Sequence, residues 1–260
     1  MKRVLGISFG VATHVLFFAT VWRLLPFLAG ENLSVGSLWI DVLLAGQFAV
    51  VHSLLLHPVT RRRLEPWIGG AFYGCLFCVA TCVTLWVIFC FWRASPVIVW
   101  QLTGRAAMIV NLAYYGSWIA LFYSLSLTGL GYQTGFTPWW SWLHGQKPPR
   151  RAFEPRGVYR WLRHPTYCCF LGLIWFHPVA TLDRALLLAV WTAYVFAGSV
   201  LKDRRLAFYV GAPYLEYQAR VPGYPLMLFG PLARIPLRRE TPARPQSVST
   251  VVGLASPSTG

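Results

Sequence analysis

Long apolar runs alternate with short polar connections along this chain, and the runs are too continuous to be the one-sided stripes of soluble helices. They extend from about Val4 to Phe27, Leu38 to Leu56, Gly70 to Trp92 and Ala106 to Leu127. Crossing a hydrocarbon core takes about 20 mostly apolar residues in a helix, so each run predicts one span. Lys2 and Arg3 give the first run the look of a signal peptide, but it is too long and no small-residue cleavage site follows. The last apolar block, about Tyr167 to Leu201, is interrupted by Pro178 and by Asp183-Arg184. A proline followed by a charged pair predicts two shorter helices joined by a turn, a hairpin that brings the number of membrane segments to about six. From Lys202 through Pro225 the chain is basic and rich in tyrosine, which predicts an interfacial segment packed on the bundle. Beyond Arg238, Pro, Ser, Thr and Gly replace the periodic apolar residues, as in a disordered tail. The expected architecture is all-α: a polytopic transmembrane helical bundle over residues 1–237, with a cytoplasmic C-terminal interfacial segment, followed by a disordered tail at 238–260.

Composition supports this outline. Of 260 residues 56% are apolar, 16% aromatic and only 12% charged, well below the quarter or so that is charged in a soluble domain. The formal charge of +15 invites nucleic acid as a partner. Its positive residues lie beside the apolar runs, however, and so read as topology signals and contacts to lipid headgroups, with no nucleic-acid partner expected. Arg61-Arg62-Arg63 follows the second run, and Lys147, Arg150, Arg151, Arg156, Arg160 and Arg163 precede the fifth segment. The other connections hold only Glu31 on one side and Arg93 and Arg105 on the other. The positive-inside bias therefore predicts cytoplasmic N- and C-termini in an integral membrane protein, expected in a bacterial inner membrane. Cys75, Cys78, Cys82 and Cys90 fall within one apolar run and read as buried small residues, not a metal or redox set. His14, His52 and His57 raise a haem or metal hypothesis, but the last two are five residues apart, off a common helix face, and no carboxylate accompanies them. Hydrogen bonding within the bundle is the expectation, with no metal. Pro138-Trp139-Trp140-Ser141-Trp142 reads as an interfacial aromatic belt.

Two groups of residues are placed for chemistry. Arg163-His164-Pro165-Thr166-Tyr167 stands where a basic loop enters the fifth segment. Proline suits the first turn of a helix, whose free N–H groups favour anions, and arginine can grip a carboxylate or phosphate with two parallel hydrogen bonds. From spacing alone, an interfacial anchor is an equal reading. The second group is Lys202-Asp203-Arg204-Arg205-Leu206, followed by Gly211, Tyr214, Tyr217, Val221, Pro222 and Pro225. Asp203 emerges from the hairpin within reach of its Arg163 end, where it can hold a cationic group. On sequence alone the favoured reading is a local pair with Arg204 or Arg205. Tyr214 and Tyr217, three apart, share a face if the segment is helical.

Gly157-Val158-Tyr159-Arg160, Arg163-His164-Pro165-Thr166-Tyr167 and the later Arg204-x-Leu206, Gly211-x-x-Tyr214-x-x-Tyr217 and Val221-Pro222 together resemble the integral-membrane methyltransferases of the isoprenylcysteine carboxyl methyltransferase and phospholipid methyltransferase group. Gln47-Phe48, His52-Ser53-Leu54, Trp92-Arg93 and Pro96 look most like its methanethiol S-methyltransferase and NnrU-like branch, and the resemblance covers roughly residues 40 to 225. It implies S-adenosyl-L-methionine bound at the cytoplasmic side by Tyr159, Arg163, His164, Tyr167, Asp203, Tyr214 and Tyr217, with a small or lipophilic methyl acceptor, possibly a thiol, entering from the membrane lipid. Two positions depart from the group: its usual pair of glutamates is Lys202-Asp203 here, and the usual small residue two after the motif tyrosine is Cys169. The departures keep open an alternative, a catalytically silent relative serving as a membrane accessory or assembly factor.

Overall fold

A computed structural model describes residues 2–30, 38–149 and 152–236. Over the described residues the helices are α1 (Lys2–Ala29), α2 (Leu38–Leu56), α3 (Pro58–Ile68), α4 (Tyr73–Phe91), α5 (Gly104–Thr128), α6 (Leu130–Gln133), α7 (Phe136–Leu143), α8 (Pro165–Trp175), α9 (Leu182–Val210) and α10 (Ala212–Arg220). Five of them, α1, α2, α4, α5 and α9, are long and apolar enough to cross a membrane, and α8 is a shorter apolar helix. The all-α bundle and the six segments are thus present, and the protein is an integral membrane protein. The tail expected beyond Arg238 lies outside the described residues, as do Glu31, Arg150 and Arg151.

The final hairpin differs from expectation. Its first arm is short, but α9 runs unbroken for 29 residues and carries Lys202 to Arg205 on its last turns. The interfacial segment begins only at Gly211, whose φ of +73 favours glycine and ends the helix before α10. A short antiparallel ribbon, β1 (Ile98–Gln101) with β2 (Val179–Thr181), was also not expected. It ties the α4–α5 connection to the turn of the hairpin.

The bundle has two unlike ends. At one, α3, α7, α10 and the start of α8 gather with Lys2 and Arg3, and Arg3 donates to the Leu143 carbonyl. At the other, a buried ionic group pins the helix ends. The Asp183 carboxylate accepts from Trp92 Nε1 (3.0 Å), the Ser95 N–H (2.9 Å) and Thr181 Oγ1 (2.6 Å). Arg184 donates to the carbonyls of Phe27 and Leu28 in the last turn of α1, where helix carbonyls lack the regular i+4 donor. Asp41 accepts from the Arg93 N–H (2.9 Å). The charged pair that marks the turn in the sequence is therefore also the fastener of that turn.

Between the ends the core joins Phe27, Ile88, Trp92, Trp118, Leu121, Leu173 and Leu187. α8 lies close against α5 because Gly172 has no side chain: a Cβ there would stand 2.2 Å from Ser117 Oγ. Trp139 is not part of a surface belt. It is 5% exposed, donates to the Gly6 carbonyl at 3.0 Å, and fits against α1 because residue 10 is glycine. Trp140, by contrast, is exposed. Cys75, Cys78 and Cys82 are buried as expected, whereas Cys90 is exposed.

Candidate active site

Arg163 is held at the head of α8 and is 2% exposed. Its Nε and Nη2 reach Asp203 Oδ2 at 3.2 and 3.0 Å. Nη1 donates to the carbonyls of Gln218 (3.2 Å), Val221 (2.7 Å) and Ala233 (3.0 Å), and Nη2 to that of Pro231 (3.4 Å). Every arm of the guanidinium fork is occupied, four times by backbone. The backbone joins in: the N–H groups of Arg163 and His164 donate to the carbonyls of Pro222 and Gly223, and Gly223 N–H donates to Leu232. Residues 221–235 form a strap folded over the start of α8, with Arg163 as the buckle.

Asp203 completes the knot. Its Oδ1 accepts from the Tyr214 hydroxyl and lies 3.0 Å from His164 Nε2, too far out of line for a good hydrogen bond. The local pair with Arg204 or Arg205 does not form; the carboxylate pairs with Arg163, 40 positions away. His164 is fully buried between the rings of Tyr167 and Tyr224, and its Nδ1 has no partner. Burial is the main reason its basicity falls below the ordinary histidine value, against the opposing pull of Asp203, so the ring is neutral. Tyr217 donates to the carbonyls of Tyr159 and Leu162, and the Tyr159 hydroxyl meets Thr166 Oγ1 at 2.6 Å. Burial pushes the Tyr159, Tyr214 and Tyr217 phenols up, keeping them protonated donors.

Beside this knot lies a cavity of about 520 Å³. It follows α9 from Trp191 to Phe208, about 25 Å at 1.5 Å per residue. Leu24 and Leu28 of α1, Phe48 of α2, Leu85 of α4 and Leu173 of α8 give it an apolar body. Toward the basic end the wall changes to Tyr167, Lys202, Arg204, Arg205, His52 and His57, and no Asp or Glu lines it among the described residues. Lys202 Nζ sits 5.0 Å from the centroid of the Tyr167 ring.

The residues expected at a cofactor thus divide. Tyr167 lines the cavity; Tyr159, Arg163, His164, Asp203, Tyr214 and Tyr217 stand together behind it and hold one another. Cys169 turns from the cavity toward Ser124 of α5, with Sγ and Oγ 4.0 Å apart, so its bulk falls elsewhere than expected. His14 bonds to its own helix at the Gly10 carbonyl, and His57 caps α3 through the Val59 N–H. His52, placed on the cavity wall with Nδ1 3.4 Å from Thr81 Oγ1, has more than a packing role open to it. Trp191 and Tyr194 also line the cavity and belong to none of the sequence motifs. Their signal is the recurrence of lining positions 191, 194, 195, 198, 201, 202, 205 and 208 at helical spacing, legible only if α9 is continuous.

Fold and site together define a polytopic helical membrane protein with a lipid-depth cavity beside a knot in which a strap of its own chain is tied to the head of α8. The chain is similar to proteins named methanethiol S-methyltransferase: to one from Bradyrhizobium diazoefficiens it is 26% identical over 236 residues, covering 84% of this chain and 81% of the other. To one from Pseudomonas deceptionensis it is 27% identical over 187 residues, 71% of each chain. Nurim of Xenopus laevis is 24% identical over 165 residues, 60% of this chain and 58% of Nurim. No family model matches the chain, and no solved structure matches it closely enough to count. These similarities place the chain beside the integral-membrane methyltransferases of the isoprenylcysteine carboxyl methyltransferase-like kind, in agreement with its motifs.

Proposed function

We propose that the protein is a membrane-embedded S-adenosyl-L-methionine-dependent methyltransferase whose acceptor is a small thiol, working with its strap and basic loops on the cytoplasmic side of a bacterial inner membrane. The observation that carries this reading is the cavity itself: it joins an apolar interior to Tyr167 of the RHPTY motif, in a chain colinear over most of its length with thiol methyltransferases. The distribution of charge supports the orientation, since Arg61 to Arg63, Lys147, Arg156, Arg160 and Arg204 all belong to the strap end.

The residues fit the donor in kind. A volume of about 520 Å³ suits a ligand of its size. The faces of Tyr167, Trp191 and Tyr194 suit a sulfonium, and the forked donors of Arg204 and Arg205 suit its carboxylate. Bound there, the donor supplies a methyl group already activated for transfer. The protein's own part is then to align acceptor with donor and exclude water, which the apolar walls of α1, α4 and α8 do. In this reading Arg163, Asp203, Tyr159, Tyr214 and Tyr217 fix the floor of the donor site by locking the strap.

Equilibrium titration of S-adenosyl-L-methionine into the detergent-purified protein, with headspace detection of dimethyl sulfide formed from methanethiol, tests the proposal. Saturable binding with turnover supports it. Absence of binding up to millimolar donor removes it and leaves the accessory-factor alternative, which is supported by the lack, among the described residues, of a lining carboxylate for the donor's ammonium.

A further inference from the structure

Lys202 is an anomaly of charge. It stands in the cavity wall, below the apolar surface of Tyr167, and among the described residues it forms no ion pair with any carboxylate. Its neighbour Asp203 points the other way, with its oxygens taken by Arg163 and Tyr214 and one of them close to His164. An ammonium facing an apolar space without a counter-ion is costly unless something negative comes to it. The aromatic face beside it offsets part of that cost, yet it neither neutralises the charge nor fills the space.

We propose that the Lys202 ammonium binds the acceptor sulfur and holds it as a thiolate. This rests on the reading of the acceptor as a small thiol and adds the group that readies it. A thiolate is the nucleophilic form of a thiol, and free aliphatic thiols are almost wholly protonated at neutral pH. In the step proposed, the S–H bond breaks with its electron pair left on sulfur, and the proton goes to water at the basic end of the cavity, where the lining residue Arg204 is exposed. The apolar remainder of the acceptor lies against Leu173, Val195 and Leu201. The other titratable groups on the wall do not fill this role. Arg205 is tied to the Leu56 carbonyl at 3.3 Å, Arg204 is exposed, and His52 is held beside Thr81. His57 caps α3, and the phenols of Tyr167 and Tyr194 carry no positive charge. The cation at this place in the motif, where the resemblance leads one to expect a carboxylate, thus has a task of its own.

The test uses full-length protein in detergent without donor and 4-methylbenzenethiol as probe, whose ultraviolet band shifts on ionisation. Titrated with pH in the presence of saturating wild-type protein, the probe should ionise about 1–3 pH units lower than in detergent alone, the range expected beside an opposite charge. Lys202→Gln should abolish the shift, Lys202→Arg should retain it, and Arg205→Gln should leave most of it. Failure of the wild-type protein to bind the probe or to shift its ionisation overturns the proposal, as does a Lys202→Gln variant that shifts it fully. Donor titration of the same variants separates the rival use of this charge. If Lys202→Gln weakens donor binding tenfold or more and leaves the probe's ionisation unaltered, the ammonium serves the donor's carboxylate and the proposal falls. Because the probe assay contains no donor, the thiol site can stand even if donor binding fails.

Discussion

Replacing Arg163 by lysine keeps the charge and removes the fork. A lysine has three donors diverging from one point, whereas Arg163 reaches a carboxylate and four carbonyls on separate segments. Arg163→Lys is expected to loosen the strap, seen as proteolytic cleavage near residues 224–230 that the wild-type protein resists. Asp203→Asn is the harsher change, since it leaves a buried guanidinium without its counter-charge; removing one partner of a buried pair costs about 3–5 kcal/mol. Thermal unfolding in detergent should show a lower midpoint for it. Lys202→Met should move the midpoint the other way, because it removes an ammonium that forms no ion pair among the described residues. Equal losses for Asp203→Asn and Lys202→Met would contradict the separation of roles drawn for these neighbours.

At the scale of elements, two contacts decide how the hairpin sits. Gly172→Val would drive a side chain into Ser117 and push α8 from α5, moving Tyr167 with it. Loss of donor binding greater than the loss of thermal stability is the expected signature. Asp183→Asn strips the charge from a carboxylate with three donors, worth about 1.5–3 kcal/mol per hydrogen bond to a charged group, and should lower the unfolding midpoint without altering the cavity. The elements were largely legible in the sequence: the second run, Leu38 to Leu56, coincides with α2. What misled was the end of α9. Lys202 and Asp203 look like a polar stop, but the first faces a cavity and the second meets Arg163, 40 residues earlier. Local composition cannot register such distant compensation. The same reason hid the cavity, whose wall along α9 continues past the point where the apolar run stops. RHPTY and Tyr214 were legible as a group, since their motif spacing drew attention to them, while their mutual pairing was a matter of tertiary contact alone.

For the whole molecule, stability should depend on pH through buried histidines. His177, at the turn of the hairpin, is pushed down to about 4 chiefly by burial, and His164 is lowered for the same reason. Each is neutral in the fold while the unfolded chain takes up a proton below about 6.5. Their contribution is therefore flat above that pH and is lost as pH falls from about 6.5 toward 4. Unfolding midpoints measured from pH 8 to pH 4.5 should hold steady and then decline, and His177→Gln should make the decline shallower.

The strap also sets an order of events during synthesis. Arg163 leaves the ribosome long before Gln218, Val221, Pro231 and Ala233, whose carbonyls are its partners. Until those residues arrive, its guanidinium can satisfy itself only in water, so the head of α8 has reason to stay at the membrane surface while α9 is being made. Asp203 reaches it first, and the carbonyls follow. Closure of this end of the bundle is thereby a late, post-insertion event, and a nascent chain stopped before the strap holds a bundle whose basic end is still open.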